Sequence, residues 1–224
     1  MDTLTEVRQQ ILGLIKTSNG ATTAEVAEHV GTSYEAVRQQ LVQLERDGLI
    51  ERALRRAPGA GAGRPVSEYC LSARGEDLFP KAYDALAVEM LDTVVEQLGP
   101  DALRSVLAAM TRDRVDRWSA RLEGLSLPEK LDMLADLYRP HDEFTEVLHD
   151  GTFPQIVERN CPFHNIASQR PALCSVTIRT LEQLLGYRVE RIKRLQRGDG
   201  RCVFQIRTDQ PIAHHDGDFE LEDA

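Results

Sequence analysis

Apolar residues recur every three or four positions through the first fifty residues, which is the period of an amphipathic helix. A first helix is predicted over about residues 4–17. Two more begin at Thr22 and Thr32, because each hydroxyl is followed three residues later by a glutamate, the pattern of a capping box. Gly31 lies between them and indicates a tight turn. Two short capped helices joined in this way predict a helix-turn-helix.

The pattern then changes to the two-residue period of β-strands. LIERALRR and VSEYCLS flank the glycine-rich stretch APGAGAGRP, so a β-hairpin is predicted where a winged helix has its wing. Helical apolar faces return over about residues 73–98, 101–122 and 126–138. These faces are wide enough to pack against more than one neighbour, either within the chain or in a partner subunit.

Short strands reappear after residue 140. FTEVLHD and FPQIVERN predict one strand pair, RVERIKRLQ and RCVFQIR predict a hairpin, and residues 171–185 predict a helix between them. The whole pattern predicts a mostly α protein with a small C-terminal α+β domain. The expected segments are a winged helix-turn-helix (1–72), a helical region (73–140), an α+β domain (141–207) and an acidic tail (208–224).

The composition is that of a globular protein, with 42% hydrophobic residues in a chain of 224. The sequence contains no run of about 18 apolar residues, and its N-terminus lacks the pattern of a secretion signal. We therefore expect no membrane association and a cytoplasmic location. Paired structural disulfides are unusual in that compartment.

The net charge of −9 is unevenly distributed. Residues 1–72 carry eight Lys/Arg and nine Asp/Glu, whereas the tail after Thr208 carries six acids and no Lys or Arg. Contact with phosphate needs a local basic surface rather than a basic chain, and the segment from Arg52 to Arg64 has four arginines and no acid. The charge pattern is therefore compatible with DNA binding by the N-terminal part, and it predicts a solvated tail.

The outward face of the predicted third helix carries side chains that can read DNA. Arg can bridge O6 and N7 of guanine and Gln can pair with adenine, while Ser and Tyr more commonly reach phosphate or sugar. Taken singly, each outward Arg or Gln is more often a solvent-exposed side chain than a DNA contact. The combination of capped helices, a glycine turn and an arginine-bearing wing favours DNA binding. The candidate contacts are Ser33, Tyr34, Arg38, Gln39 and Gln43 on the helix and Arg55, Arg56 and Arg64 on the wing.

Three cysteines near the C-terminus are candidate metal ligands, because thiolates bind zinc and iron–sulfur clusters. Cys161, Cys174 and Cys202 are separated by 12 and 27 residues, and each lies at the end of a predicted element, where distant segments can meet. His164 is a candidate fourth ligand, and spacing alone leaves both a Cys₃His zinc site and a cubane cluster open. Cys70, inside a wing strand, is expected to be a small buried apolar residue.

These pieces together resemble the SufR-type iron–sulfur regulators. The resemblance rests on TTAEVAEHVGTSYEAVRQQLVQLERDGLIE, GRPVSEYCLSARGEDLFP and NCPFHNIA…PALC…LLGYRVERI…GDGRCVFQI. It implies a homodimeric winged-helix repressor of the Suf cluster-assembly operon, with the helical region as its dimerisation region. It also implies that double-stranded operator DNA is bound when each protomer carries one iron–sulfur cluster, of the 4Fe–4S type.

In the same resemblance Cys161, Cys174 and Cys202 match the cluster ligands of the family. Cyanobacterial members show four motif cysteines and this chain has three. The fourth ligand is therefore open, and His164 is inferred from its proximity alone. An alternative on the same scaffold is a zinc- or thiol-redox-responsive regulator without a cluster. An enzyme is not expected, since the sequence has no glycine-rich phosphate loop and no G-x-S-x-G motif.

Overall fold

The chain folds into two compact units, Met1–Lys81 and Ala82–Ala224. A computed structural model describes residues 4–55, 66–149, 151–212 and 219–222. Helices dominate, and each unit adds a small antiparallel sheet, so the fold is of mixed α and β type with an α+β C-terminal part, in agreement with the predicted class. Within those ranges no helix combines the length and the apolar character that crossing a membrane requires.

The first unit is built mainly from helices packed on a small sheet. Its elements are α1 (Glu6–Ser18), β1 (Ala21–Thr22), α2 (Thr23–Val30), α3 (Tyr34–Arg46), β2 (Ile50–Arg55), β3 (Val66–Leu71) and α4 (Ala73–Glu76). The core includes Ile11, Leu12, Ile15, Val26, Val37, Leu41 and Leu44, all almost fully buried. The helical period of the sequence therefore identified the inward face of α3 correctly.

Local side-chain caps set the starts of α2 and α3. The Thr22 capping box is confirmed, because its hydroxyl accepts the Glu25 backbone N–H and its own N–H donates to the Glu25 carboxylate at 2.7 Å. The capping box predicted at Thr32 is wrong: Ser33 is the N-cap, and its hydroxyl accepts a backbone N–H of the first turn. Gly31 makes the turn with a φ of 70°, which glycine adopts without steric cost.

Strands β2 and β3 form the predicted antiparallel hairpin. Strand β1, which the sequence pattern did not predict, pairs with the other side of β3, so the strand order is β1-β3-β2. Residues 56–65 lie outside the described residues, and so do the candidate contacts Arg56 and Arg64 and the side chain of Arg55.

The second unit surrounds a four-stranded sheet. Its elements are α5 (Tyr83–Leu98), α6 (Pro100–Leu122), α7 (Leu127–Tyr138), β4 (Glu146–Leu148), β5 (Gln155–Glu158), α8 (His164–Ala167), α9 (Cys174–Leu185), β6 (Tyr187–Lys193) and β7 (Cys202–Pro211). The single helix predicted over 73–98 is wrong. Residues 77–82, which include Pro80, separate α4 from α5, since proline removes a helical hydrogen bond.

The C-terminal sheet has the strand order β4-β5-β7-β6 and is antiparallel throughout. Helix α9 packs beside β6 and against α6, and Gly186 ends it with a φ of 79°. The core between the helices and the sheet includes Leu131, Leu134, Ile156, Ile178, Leu181, Phe204 and Ile206. Both predicted strand pairs and the helix between them are therefore confirmed.

Candidate functional site

Three cysteines from distant segments lie around one cavity in the second unit. Cys161 follows the end of β5, Cys174 is the first residue of α9, and Cys202 is the first residue of β7. All three line a cavity of about 20 Å³, together with the carboxyl side chain of Glu158. The fold thus brings together thiols that are 12 and 27 residues apart in the sequence.

The segment that carries Cys161 is held in place by a buried carboxylate. Asp142, which is 1% exposed, accepts the backbone N–H groups of Arg159 at 2.7 Å and Asn160 at 3.0 Å. These hydrogen bonds fix the two residues that directly precede Cys161. Asp142 was not predicted from the sequence, because a carboxylate that binds backbone groups leaves no spacing pattern.

Burial raises the pKa of all three thiols above the ordinary value. It raises the pKa of Cys161 to about 12, with the negative charge of Glu158 as the next cause. Burial also raises the pKa of Cys174 and Cys202, although the nearby Arg191 guanidinium opposes the shift at both. A metal that binds here must therefore displace protons, which makes its affinity dependent on pH.

The acidic tail reaches the edge of this cavity through Arg191. The Arg191 side chain is 2% exposed, and its Nε donates to the Glu222 carboxylate at 2.9 Å. On its other side the guanidinium faces Cys174, whose Sγ also accepts a hydrogen bond from Gln196 at 3.4 Å. One side chain therefore connects the thiol cavity with the C-terminal tail.

The prediction of a solvated tail is wrong for residues 219–222. The Glu222 backbone N–H donates to the Ser175 hydroxyl at 2.6 Å, and the Glu220 carboxylate pairs with Arg179 at 2.6 Å and Arg188 at 3.1 Å. The arginines of α9 and β6 explain the difference, since they supply the opposite charge that the tail itself lacks.

The donor set suits a soft or borderline metal, because three sulfur atoms and a carboxyl group surround one buried space. A cavity of about 20 Å³ has room for about one water-sized atom. The cavity is closer in size to a single ion than to a cubane cluster, and its donor atoms must move closer together before they can hold either one. Across the described ranges no three His, Cys, Asp or Glu side chains already form a metal-holding group.

His164 and Cys70 are not among the residues that line the cavity. His164 is the first residue of α8 and its side chain is exposed, while the neighbouring Phe163 lines the cavity instead. Cys70 lies on β3 in the first unit, half-buried, with its Sγ 4.0 Å from the Asn19 carbonyl oxygen.

Three candidate DNA contacts remain exposed on α3. Tyr34 is 57% exposed, and Arg38 and Gln39 are exposed one turn later. The Arg38 guanidinium is already paired with Glu35, at 2.8 and 2.9 Å. A phosphate or base that binds Arg38 therefore competes with this carboxylate.

The other two candidates on α3 have local partners. The Ser33 hydroxyl caps the helix, and the Gln43 side chain is half-buried and donates to Asp47 at 2.8 Å. Both side chains contribute to the fold of the first unit. These bonds restrict the directions in which the two side chains can point toward DNA.

The comparisons with known proteins concern the first unit. Residues 7–61 match the model of a family described as FaeA-like protein, and this match extends from α1 into the hairpin. It covers about a quarter of the chain and does not reach the thiol cavity. Neither a curated protein nor a solved structure matches the chain.

Proposed function

We propose that the chain is a transcriptional repressor that binds operator DNA through a winged helix and responds to an iron–sulfur cluster bound by its three C-terminal cysteines. The observation that carries this proposal is the convergence of three thiols, from three separate segments, on one buried cavity. Thiols that serve only as small apolar residues have no reason to meet in this way.

The DNA-binding part of the proposal rests on the arrangement of the first unit. Helices α2 and α3 are joined by a tight turn and followed by the β2–β3 hairpin, which is the element order of a winged helix. The exposed Tyr34, Arg38 and Gln39 side chains on the first turns of α3 are those that a recognition helix offers to a major groove.

A homodimer is part of the same proposal, because α5 has an exposed apolar face. Tyr83, Leu86 and Met90 are spaced as one helical stripe and are 70%, 55% and 62% exposed. An apolar stripe of this kind marks a protein–protein contact, and a second copy of the chain gives the two-fold symmetry of a palindromic operator. A Met90→Glu change should therefore shift the molar mass measured by light scattering from dimer to monomer.

Within the cavity the protein would supply ligands and charge balance. Cys161, Cys174 and Cys202 would bind metal as thiolates, and the buried Arg191 guanidinium would offset part of their negative charge. When bound, a cluster supplies sensitivity to oxidants and to iron supply. The hydrogen bonds that Asp142 accepts would hold the residues just before Cys161 in place.

The test begins with anaerobic purification and analysis of iron, sulfide and zinc. We expect a brown protein with an absorbance band near 400 nm, and selective capture of genomic DNA fragments by the loaded form. Stripping the metal with a chelator should release those fragments. A colourless protein that holds stoichiometric zinc and still captures the same fragments would contradict the cluster.

The size of the cavity favours a second candidate, a zinc- or thiol-redox-responsive regulator on the same scaffold. A space of about 20 Å³ is closer in size to one ion than to a cubane cluster. In this case the purified protein contains one zinc per chain and no sulfide. Its DNA binding then changes when the thiols are oxidised and recovers on reduction.

A further inference from the structure

Glu158 faces the thiol cavity from the last position of β5, one of the two central strands of the sheet. In the β5–β7 pair it lies directly opposite Cys202, and residues so paired have Cβ atoms about 4.5–5.5 Å apart on the same face. Ile156, two residues earlier, has the same orientation and is opposite Phe204. An acidic side chain thus lies on the inward face of the sheet, where its neighbours Ile156, Phe204 and Cys202 are buried apolar residues.

The Glu158 side chain is almost fully buried in the lining of the cavity. It is 5% exposed, and no hydrogen bond to it is formed by the residues that the structure describes. Its charged neighbours act at longer range: Asp142 repels the carboxylate, while Arg114 and Arg191 attract it. Burying such a group without a partner costs free energy, so its presence in the cavity lining calls for a ligand.

A fourth ligand must lie in the same cavity as the three thiols, and Glu158 and His164 differ in this respect. Glu158 lines the cavity with all three thiols, whereas the exposed His164 does not. A carboxylate oxygen is a regular zinc ligand and also binds iron in proteins. A fourth donor at this position closes a site that three thiols leave open.

We infer that Glu158 is the fourth protein ligand of the metal centre held by Cys161, Cys174 and Cys202. The inference rests on the proposed function, since it assumes that the thiols bind metal. It assigns the open position to an oxygen donor within the sheet rather than to the histidine nearest in sequence.

Cobalt titration of the full-length reduced chain tests the assignment, because Co²⁺ substitutes for zinc and its visible spectrum reports the number and type of ligands. Wild type is compared with Glu158→Gln, which keeps the size of the side chain, and with His164→Gln as the matched control. Glu158→Asp, which keeps the charge but shortens its reach, is a second variant. Circular dichroism and thermal unfolding of the metal-free proteins check that each variant is folded.

We expect wild type and His164→Gln to bind one Co²⁺ with the same affinity and with thiolate-to-cobalt bands. Glu158→Gln should keep the thiolate bands, lose affinity by at least about tenfold, and show the spectrum of a site with a water in the fourth position. Glu158→Asp should fall between the two. When the cluster is reconstituted, Glu158→Gln should lose iron to a chelator faster than wild type does.

Unchanged affinity and spectrum in Glu158→Gln, together with a loss in His164→Gln, would overturn the assignment while leaving the three-thiol site intact. A different pattern identifies failure of the proposed function itself: wild type shows no thiolate bands, or Cys202→Ser binds Co²⁺ as wild type does. That result removes the metal site and the assignment together.

Discussion

Replacing Glu158 by glutamine in the metal-free protein should change how stability depends on pH. Burial raises the pKa of this carboxyl group from its ordinary value of 4.5 to about 7, and the negative charge of Asp142 adds to the shift. Because folding raises the pKa, the folded state holds the proton more tightly than the unfolded chain does. The contribution of this proton to the free energy of unfolding has its full value below pH 4.5, and it is lost as the pH rises through 7.

The magnitude follows from the difference between the two pKa values. A rise from 4.5 to about 7 corresponds to about 3 kcal/mol in the free energy of unfolding. Linkage places about 2 kcal/mol of that loss between pH 5.5 and pH 8. The charged and titratable groups that face the carboxyl include Asp142, Arg114, Arg191, Tyr138, Cys161 and Cys202.

Urea denaturation of the reduced, metal-free protein at several pH values measures this effect. Glutamine stays neutral, so the stability of Glu158→Gln relative to wild type should rise by about 2 kcal/mol between pH 5.5 and pH 8. Any constant cost of the substitution cancels in that difference. Glu143→Gln removes an exposed carboxylate of the same unit and controls for net charge. A relative stability of Glu158→Gln that stays constant with pH would refute the raised pKa.

The remaining predictions concern the proposed metal ligands, the proposed recognition helix and the tail. Cys202→Ser should reduce bound metal at least about tenfold by elemental analysis, whereas Cys70→Ser should keep the wild-type content. Arg38→Ala should weaken operator binding by about 1–3 kcal/mol in competition assays, and Glu35→Gln, which frees the guanidinium, should not weaken it. Glu222→Gln should lower the free energy of unfolding by about 1–3 kcal/mol, because a buried arginine loses its partner; equal denaturation midpoints would contradict this.

The parts of the fold that the sequence predicted well are those with local signals. The capping box at Thr22 was predicted correctly, because the cap is satisfied by a residue three positions away. Strand β1 was missed because two residues are too short to show an alternation. The α4–α5 break was missed because the apolar stripe continues through Pro80 in the sequence, although Tyr83 and Met90 are exposed.

The candidate site was predictable in its thiols and not in its other groups. Three cysteines at element ends are a visible pattern, whereas the partner of a strand residue depends on register. Glu158 did leave a signal, since its alternation with Ile156 in FPQIVERN places an acid on an inward face. Choosing the histidine nearest in sequence to Cys161 pointed to His164, which the fold leaves exposed, although Glu158 lies equally near on the other side of Cys161.

The Arg191 side chain contacts both the tail and the thiol cavity. It therefore links the docking of the tail to metal binding in the cavity. Arg191 faces Cys174 in the cavity and pairs with Glu222 in the tail, so a change in its position affects both contacts. Coupling between two binding events is reciprocal: the factor by which tail removal changes metal affinity equals the factor by which metal changes tail docking. A chain truncated after residue 212 measures the first factor, and hydrogen exchange at residues 219–222 with and without metal measures the second. Unequal factors would mean that truncation disturbs the cavity by a route other than Arg191.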